Sequence, residues 1–163
     1  NVKISDSKNN PVSFPINVYY PKTDIKVASG AANRPLELLA GVYDIEIAVL
    51  PKVTQAAVTI ASGKEKSLDL GVLTGALVLK AVDQNKEENR DARQFVKIRR
   101  ADTNELLIST RMNRSVEIGP GRYNVEIDTT PPQTSKDIKI DTGTETVVEA
   151  IIQAGPQAKS GKI

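Results

Sequence analysis

The chain has 163 residues, with 22 Lys and Arg against 20 Asp and Glu, so its formal charge is 22 − 20 = +2. It has no His, Cys or Trp, which removes imidazole triads and dyads, thiol nucleophiles, disulfides, zinc ribbons and Fe–S clusters. So balanced a charge leaves no electrostatic case for nucleic acid or an anionic membrane, and the longest apolar run, Leu70–Leu79, is broken by Gly and Thr and far short of the roughly 18 residues of a bilayer span.

Strands are predicted along the whole chain. In order they fall near residues 1–5, 14–20, 24–29, 34–39, 42–49, 55–61 and 65–70, then near 76–82, 94–100, 104–110, 114–118, 122–129, 135–141 and 145–153. The signal is period-two alternation of β-branched and aromatic residues, which marks half-buried strands. Ile16 and Val18 alternate with polar neighbours, as do Tyr43, Ile45 and Ile47, and then Val58 and Ile60. Further on, Val96 and Ile98, then Tyr123, Val125 and Ile127, then Ile138 and Ile140 do the same. Turn residues separate the runs at Asn9-Asn10-Pro11, Pro21-Lys22-Thr23, Ala40-Gly41 and Ser62-Gly63. No window carries apolar residues at helical spacing over three turns, so no helix is expected.

The two halves of that element string are alike. Shifted by 80 residues, Phe14–Leu70 aligns without a gap on Gln94–Ala150, with fourteen of fifty-seven positions identical. The identities include Asn33, Arg34, Glu37, Gly41, Tyr43, Glu46, Pro51 and Gly63. Upstream, "VKISD" fits "LKAVD" at an offset of 77, which assigns three extra residues to the second copy, within its Gln84–Arg90 loop. The expectation is an all-β chain of two tandem seven-stranded antiparallel β-sandwich modules of Ig-like or prealbumin-like type, 1–72 and 73–154. Residues 155–163 then form a tail or a linker to a following domain. Ser160-Gly161-Lys162-Ile163 stands there as Thr74-Gly75-Ala76-Leu77 stands after the first copy, so a third module is expected to begin at this point.

The stretch "IGPGRYNVEI", and more loosely "LLAGVYDIEI", resembles the signature of prealbumin-like, or carboxypeptidase regulatory-like, β-sandwich domains. Pro120 and Gly121 set a sharp turn, with Gly supplying positive φ, and Tyr123 then enters the core. In the first copy Ala40 replaces Pro, while Gly41 and Tyr43 remain. The resemblance implies tandem repeats of bacterial envelope or secreted proteins, such as those downstream of von Willebrand factor A domains. One enzyme branch that it brings in, the transthyretin-like hydroxyisourate hydrolases, relies on His; this sequence has none, so that activity does not carry over.

Four groups of residues invite a functional reading. In "DQNKEENRD", Asp83, Asn85 and Glu87 alternate as in a Ca²⁺ loop, but Glu88 replaces the sixth-position Gly and Gln94 the bidentate Glu, so a solvated hairpin loop is expected. Arg90, Arg93, Arg99, Arg100, Arg111, Arg114 and Arg122 enrich the second copy, yet residues 75–163 hold 14 basic and 13 acidic side chains, which points to a salt-bridged sheet surface. Of the doublet Tyr19-Tyr20, alternation sends Tyr20 inward and Tyr19 outward, and a lone exposed aromatic is weak support for a sugar or peptide site. Glu37 with Glu117 and Glu46 with Glu126 recur once per copy on the polar side of their strands, where solvent-facing roles are expected rather than a catalytic carboxylate pair.

No catalytic, cofactor-binding or metal-ligating residue is therefore assigned, and no cofactor. The expected role is a non-catalytic structural or interaction segment of a larger bacterial envelope or secreted protein, extracytoplasmic, spacing or docking neighbouring domains. Its expected partners are those neighbours, in the same polypeptide or another envelope protein, with no nucleic acid and no membrane insertion. The alternative is a module that binds glycan or peptide on an exposed sheet face or loop end.

Overall fold

The computed structural model describes residues 1–153, so the expected tail at 155–163 lies outside the described residues. Among these residues the chain is all-β, with no helix and thirteen strands. They are β1 (Val2–Ser5), β2 (Pro15–Tyr19), β3 (Lys26–Ala31), β4 (Gly41–Ile47), β5 (Val53–Ile60), β6 (Leu68–Val72) and β7 (Gly75–Val82). There follow β8 (Phe95–Arg100), β9 (Leu106–Arg111), β10 (Arg114–Ile118), β11 (Gly121–Ile127), β12 (Gln133–Ile140) and β13 (Glu145–Ile151). Four sheets result, ordered β3-β2-β4-β5, β1-β6, β9-β8-β11-β12 and β10-β7-β13, an arrangement consistent with β-sandwich packing.

Contacts group the chain into two compact units. The first holds Asn1–Ala76, Glu117–Gly121 and Lys139–Thr146; the second holds Leu77–Val116, Arg122–Ile138 and, among the described residues, 147–153. In the first unit, β2 pairs with β4 so that Ile16 faces Ile47 and Val18 faces Ile45. In the second, β8 pairs with β11 so that Val96 faces Ile127 and Ile98 faces Val125, the same register eighty residues on. Even the bulge recurs, between Val18 and Tyr19 where β2 meets β3, and between Ile98 and Arg99 where β8 meets β9. Tyr43 and Tyr123 enter the cores as expected, 6% and 1% exposed, and inward-facing Ile16, Val18, Ile45 and Ile47 are buried with them.

Three expectations need correction. Residues 34–39 form no strand, whereas their counterparts form β10 beside β7. The first half of the chain therefore has six strands before β7 rather than seven. The extra residues of the second copy lie at the end of the Gln84–Arg90 loop and beyond it, rather than within it. Val12 N donates to Ile4 O at 3.2 Å and Asn89 N to Ala81 O at 2.9 Å, so the offset is still 77 at Asn89. Ala32 N donates to Phe14 O and Met112 N to Gln94 O, an offset of 80, which confines the insertion to Arg90–Arg93. The sharp turn expected at Gly121 is not of the left-handed kind, because its φ of 157° is close to extended and β11 begins there; at Gly41 a Cβ would lie 3.1 Å from the Tyr43 hydroxyl.

Candidate functional site

Asp83, singled out in the sequence, and several other polar loop residues serve the chain's own backbone. Asp83 Oδ1 accepts from Asn85 N at 2.8 Å and Glu87 N at 2.9 Å, closing the loop that had the spacing of a cation site. Asp6 does the same for Lys8 N and Asn10 N, and these bonds, led by the one from Asn10, hold its carboxyl below the usual range. Asp44 accepts from Lys22 N at 3.0 Å and Ala57 N at 2.8 Å, which lowers its pKa for the same reason. Eighty residues on, Asn124 Oδ1 accepts from Asp137 N at 3.0 Å. Both recipients, Ala57 and Asp137, sit at positive φ, so the side-chain acceptor offsets a backbone cost.

The arginines pair locally. Arg100 grips Asp102 through two nitrogens at 3.1 Å each, Arg90 meets Glu88 at 3.0 Å, and Arg122 meets Asp137. Arg99 lies 4.0 Å from Glu126, and Arg111 stacks 4.9 Å above the Phe95 ring. Glu46 accepts from Asn17 and Lys52, and the Asn17 bond leads in lowering its pKa. These pairs are mostly exposed and join residues two apart in a loop or residues on neighbouring strands, rather than converge on one point.

Tyr20 is a correction. It is half exposed instead of inward, because β2 ends at Tyr19 after the bulge; its ring stacks on Tyr43 at 6.2 Å. Tyr19 is half-buried, with Lys26 lying 6.0 Å from its ring. Glu117 is another: it is half-buried and accepts from Ser7 N at 3.2 Å, Ser7 Oγ at 2.7 Å and the hydroxyl of fully buried Thr74, all within the first unit. Its counterpart Glu37 is exposed. The two glutamates match in sequence but not in surroundings.

The reason is a cavity beside Glu37. It has a volume of about 620 Å³ and lies in the first unit, between the irregular segment 35–40, the 61–66 turn and the inner faces of β2, β4 and β5. Its walls are largely aliphatic: Val2, Ile16, Leu36, Leu38, Ile60 and Leu68 contribute, with Glu37, Lys64, Glu65 and Lys66 at the polar margin. Leu36, Leu38, Ile60 and Leu68 are only half-buried, whereas Val116, Ile118, Ile140 and Val148, eighty residues on, are buried. β7 lies between β10 and β13 in their sheet, and its Leu77 and Leu79 are fully buried. Only β6 pairs with β1 among the described strands, and β1 begins at Val2, the counterpart of Leu79.

No protein-family model and no curated protein matches the chain. Among solved structures it is similar to the Bacillus anthracis TIE protein, at 12% identity and a TM-score of 0.38. That similarity covers 93% of this chain and 33% of that one, so the chain spans about a third of its length.

Proposed function

We propose that the chain is a non-catalytic structural segment of a larger extracytoplasmic bacterial protein, built from two tandem prealbumin-like β-sandwich modules that space or dock neighbouring domains. The observation that carries this is the use of the matched polar side chains. Asn33 with Asn113, Asp6 with Asp83, and Asp44 with Asn124 each bond to the chain's own backbone, Asp6 and Asp83 within their loops and the others across to distant segments. Residues retained in both copies for shape serve geometry rather than chemistry. The absence of His and Cys from the sequence points the same way.

A peptide-binding role is the second reading, and the aliphatic cavity favours peptide over glycan, because its walls carry no aromatic platform for a sugar ring. The test is a fractionation and replacement experiment in the producing cell. The parent protein should be found outside the cytoplasm, and exchanging this segment for an unrelated sandwich pair of equal length should preserve its activity. Loss of activity on exchange, with the parent still folded and exported, would favour the binding role.

A further inference from the structure

We propose that the outer edge of β13 is a docking site for an extended peptide segment whose one face alternates Lys or Arg with aliphatic residues. Other outer strands of the described chain are interrupted. β3, β5, β6 and β9 each meet their neighbour through a register shift, and β12 holds Asp137 at positive φ. Such breaks keep an edge from accepting a further strand. β10, at the far side of the sheet from β13, is only five residues long. β13 runs for seven residues with no such break. Ala76 N donates to Thr144 O at one end of its ladder with β7 and Ile152 N to Val82 O at the other, both at 2.8 Å, and one unbroken parallel register satisfies both bonds.

That register fixes where the main chain points. Thr146, Val148, Ala150 and Ile152 direct their N–H and C=O groups to β7, so those of Val147 and Glu149 face the side on which no described strand lies. Ile151 has the parity of Val147 and Glu149, and its carbonyl accepts from Gln133 Nε2 at 2.8 Å, away from β7.

The side chains state what would pair there. Val148, Ala150 and Ile152 are buried, which turns Glu145, Val147, Glu149 and Ile151 to the outer face, all of them exposed. Val147 and Ile151 are 42% and 49% exposed, at positions where the first copy has Ser67 and Gly71. Neither Glu145 nor Glu149 is in an ion pair among the described residues, although Lys80 of β7 is exposed on the same face. An added strand sets its side chains directly opposite these, so a basic residue belongs opposite each glutamate and an aliphatic one opposite Val147 and Ile151. That pattern repeats every fourth residue and reads alike in either strand direction. Two β13 edges would set glutamate against glutamate, directly or diagonally, so a second copy is not the occupant. Main-chain bonds then supply affinity and the alternating side chains specificity. This docking role is separate from the spacing role and from the cavity, and each can fail alone.

The test is a titration of the full, isotope-labelled chain with the capped peptide TKTVTKTVT and its counterpart TETVTETVT, followed by amide NMR. The lysine peptide should shift the N–H signals of Val147 and Glu149 and slow their hydrogen exchange, while Thr146 and Val148, already bonded to β7, keep their rates. Glu145→Lys with Glu149→Lys should weaken the lysine peptide about tenfold and make the glutamate peptide the better ligand. Val147→Pro removes an N–H that points outward, so it should leave the β7 ladder intact and abolish binding. Should that variant not fold, the charge exchange decides alone, since it alters exposed side chains only. No binding at millimolar peptide, equal affinity for the two peptides, unchanged preference after the charge exchange, or shifts confined to other strands would each overturn the proposal.

Discussion

Asn33 and Asn113 hold the same pair of backbone segments, eighty residues apart. Asn33 Nδ2 donates to Ile4 O and Val12 O, both at 2.8 Å, while its Oδ1 accepts from Ile4 N at 3.3 Å. Asn113 Oδ1 accepts from Ala81 N at 3.0 Å and its Nδ2 donates to Asn89 O at 2.8 Å. Ala81 and Asn89 are the counterparts of Ile4 and Val12. Both asparagines sit at left-handed φ, 61° and 59°, which Asn tolerates better than other residues with a Cβ.

Replacing either Asn with Ala should therefore destabilise its unit by about 2–4 kcal/mol. Each net hydrogen bond contributes about 1 kcal/mol, and Ala at left-handed φ adds about 1–2 kcal/mol. Asn→Gly removes the backbone part of that cost and should lie roughly midway. Urea melts of the four variants read this directly, and Ala variants as stable as the parent would show the bonds to be dispensable.

Gly75→Ala and Gly63→Ala separate crowding from strain. A Cβ on Gly75 would press on Ile140 Cγ2 at 2.7 Å and on backbone carbonyls that cannot swing away. At Gly63 it would meet nothing within 4 Å and suffer only the φ of 65°. The expected costs are about 3 kcal/mol or more for Gly75, from overpacking, against about 1–2 kcal/mol for Gly63. Thermal melts that rank them the other way would contradict the close approach at β7.

Tyr43→Phe tests what restrains the cavity wall. The Tyr43 hydroxyl donates to Leu39 O at 2.9 Å, at the end of the irregular segment. Its loss should cost about 1 kcal/mol and speed amide exchange across residues 36–40 while leaving β4 protected. Tyr123→Ala, which empties a fully buried site in the second unit, should cost about 3–5 kcal/mol.

Acid should weaken the first unit. Asp6, Asp44 and Glu46 all have carboxyls held below their ordinary values of 3.8, 3.8 and 4.5 by hydrogen bonds to the ionised form. A depressed folded pKa contributes stability that is fully present well above those ordinary values and is lost as pH falls through and below them. The melting temperature should be level from neutral pH to about 5.5 and decline below about 4.5. Asp44→Asn keeps an acceptor for Ala57 N, as Asn124 does for Asp137 N, and should flatten part of that decline.

Much of this was readable in the chain. The alternation at Ile16, Val18, Ile45 and Ile47 assigns the buried face because side-chain direction in a strand depends only on local parity. The eighty-residue offset likewise anticipates a shared register, since identical turns impose identical pairings. Tyr20 escaped the pattern because a bulge after Val18 and the end of the strand suspend parity there.

The sequence by itself determined which residues alternate, where turns fall, and that the two halves share a plan, because those depend on neighbours a few positions apart. Only the tertiary structure decided that "RPLELL" stays irregular while "RSVEI" becomes β10. A strand exists by virtue of the partner that satisfies its backbone groups. Residues 114–118 have β7 beside them, whereas residues 34–39 pair with no described strand. Distant partners likewise set the difference between Glu117, bound to Ser7 and Thr74, and exposed Glu37, a contrast that two identical letters in matching positions cannot carry.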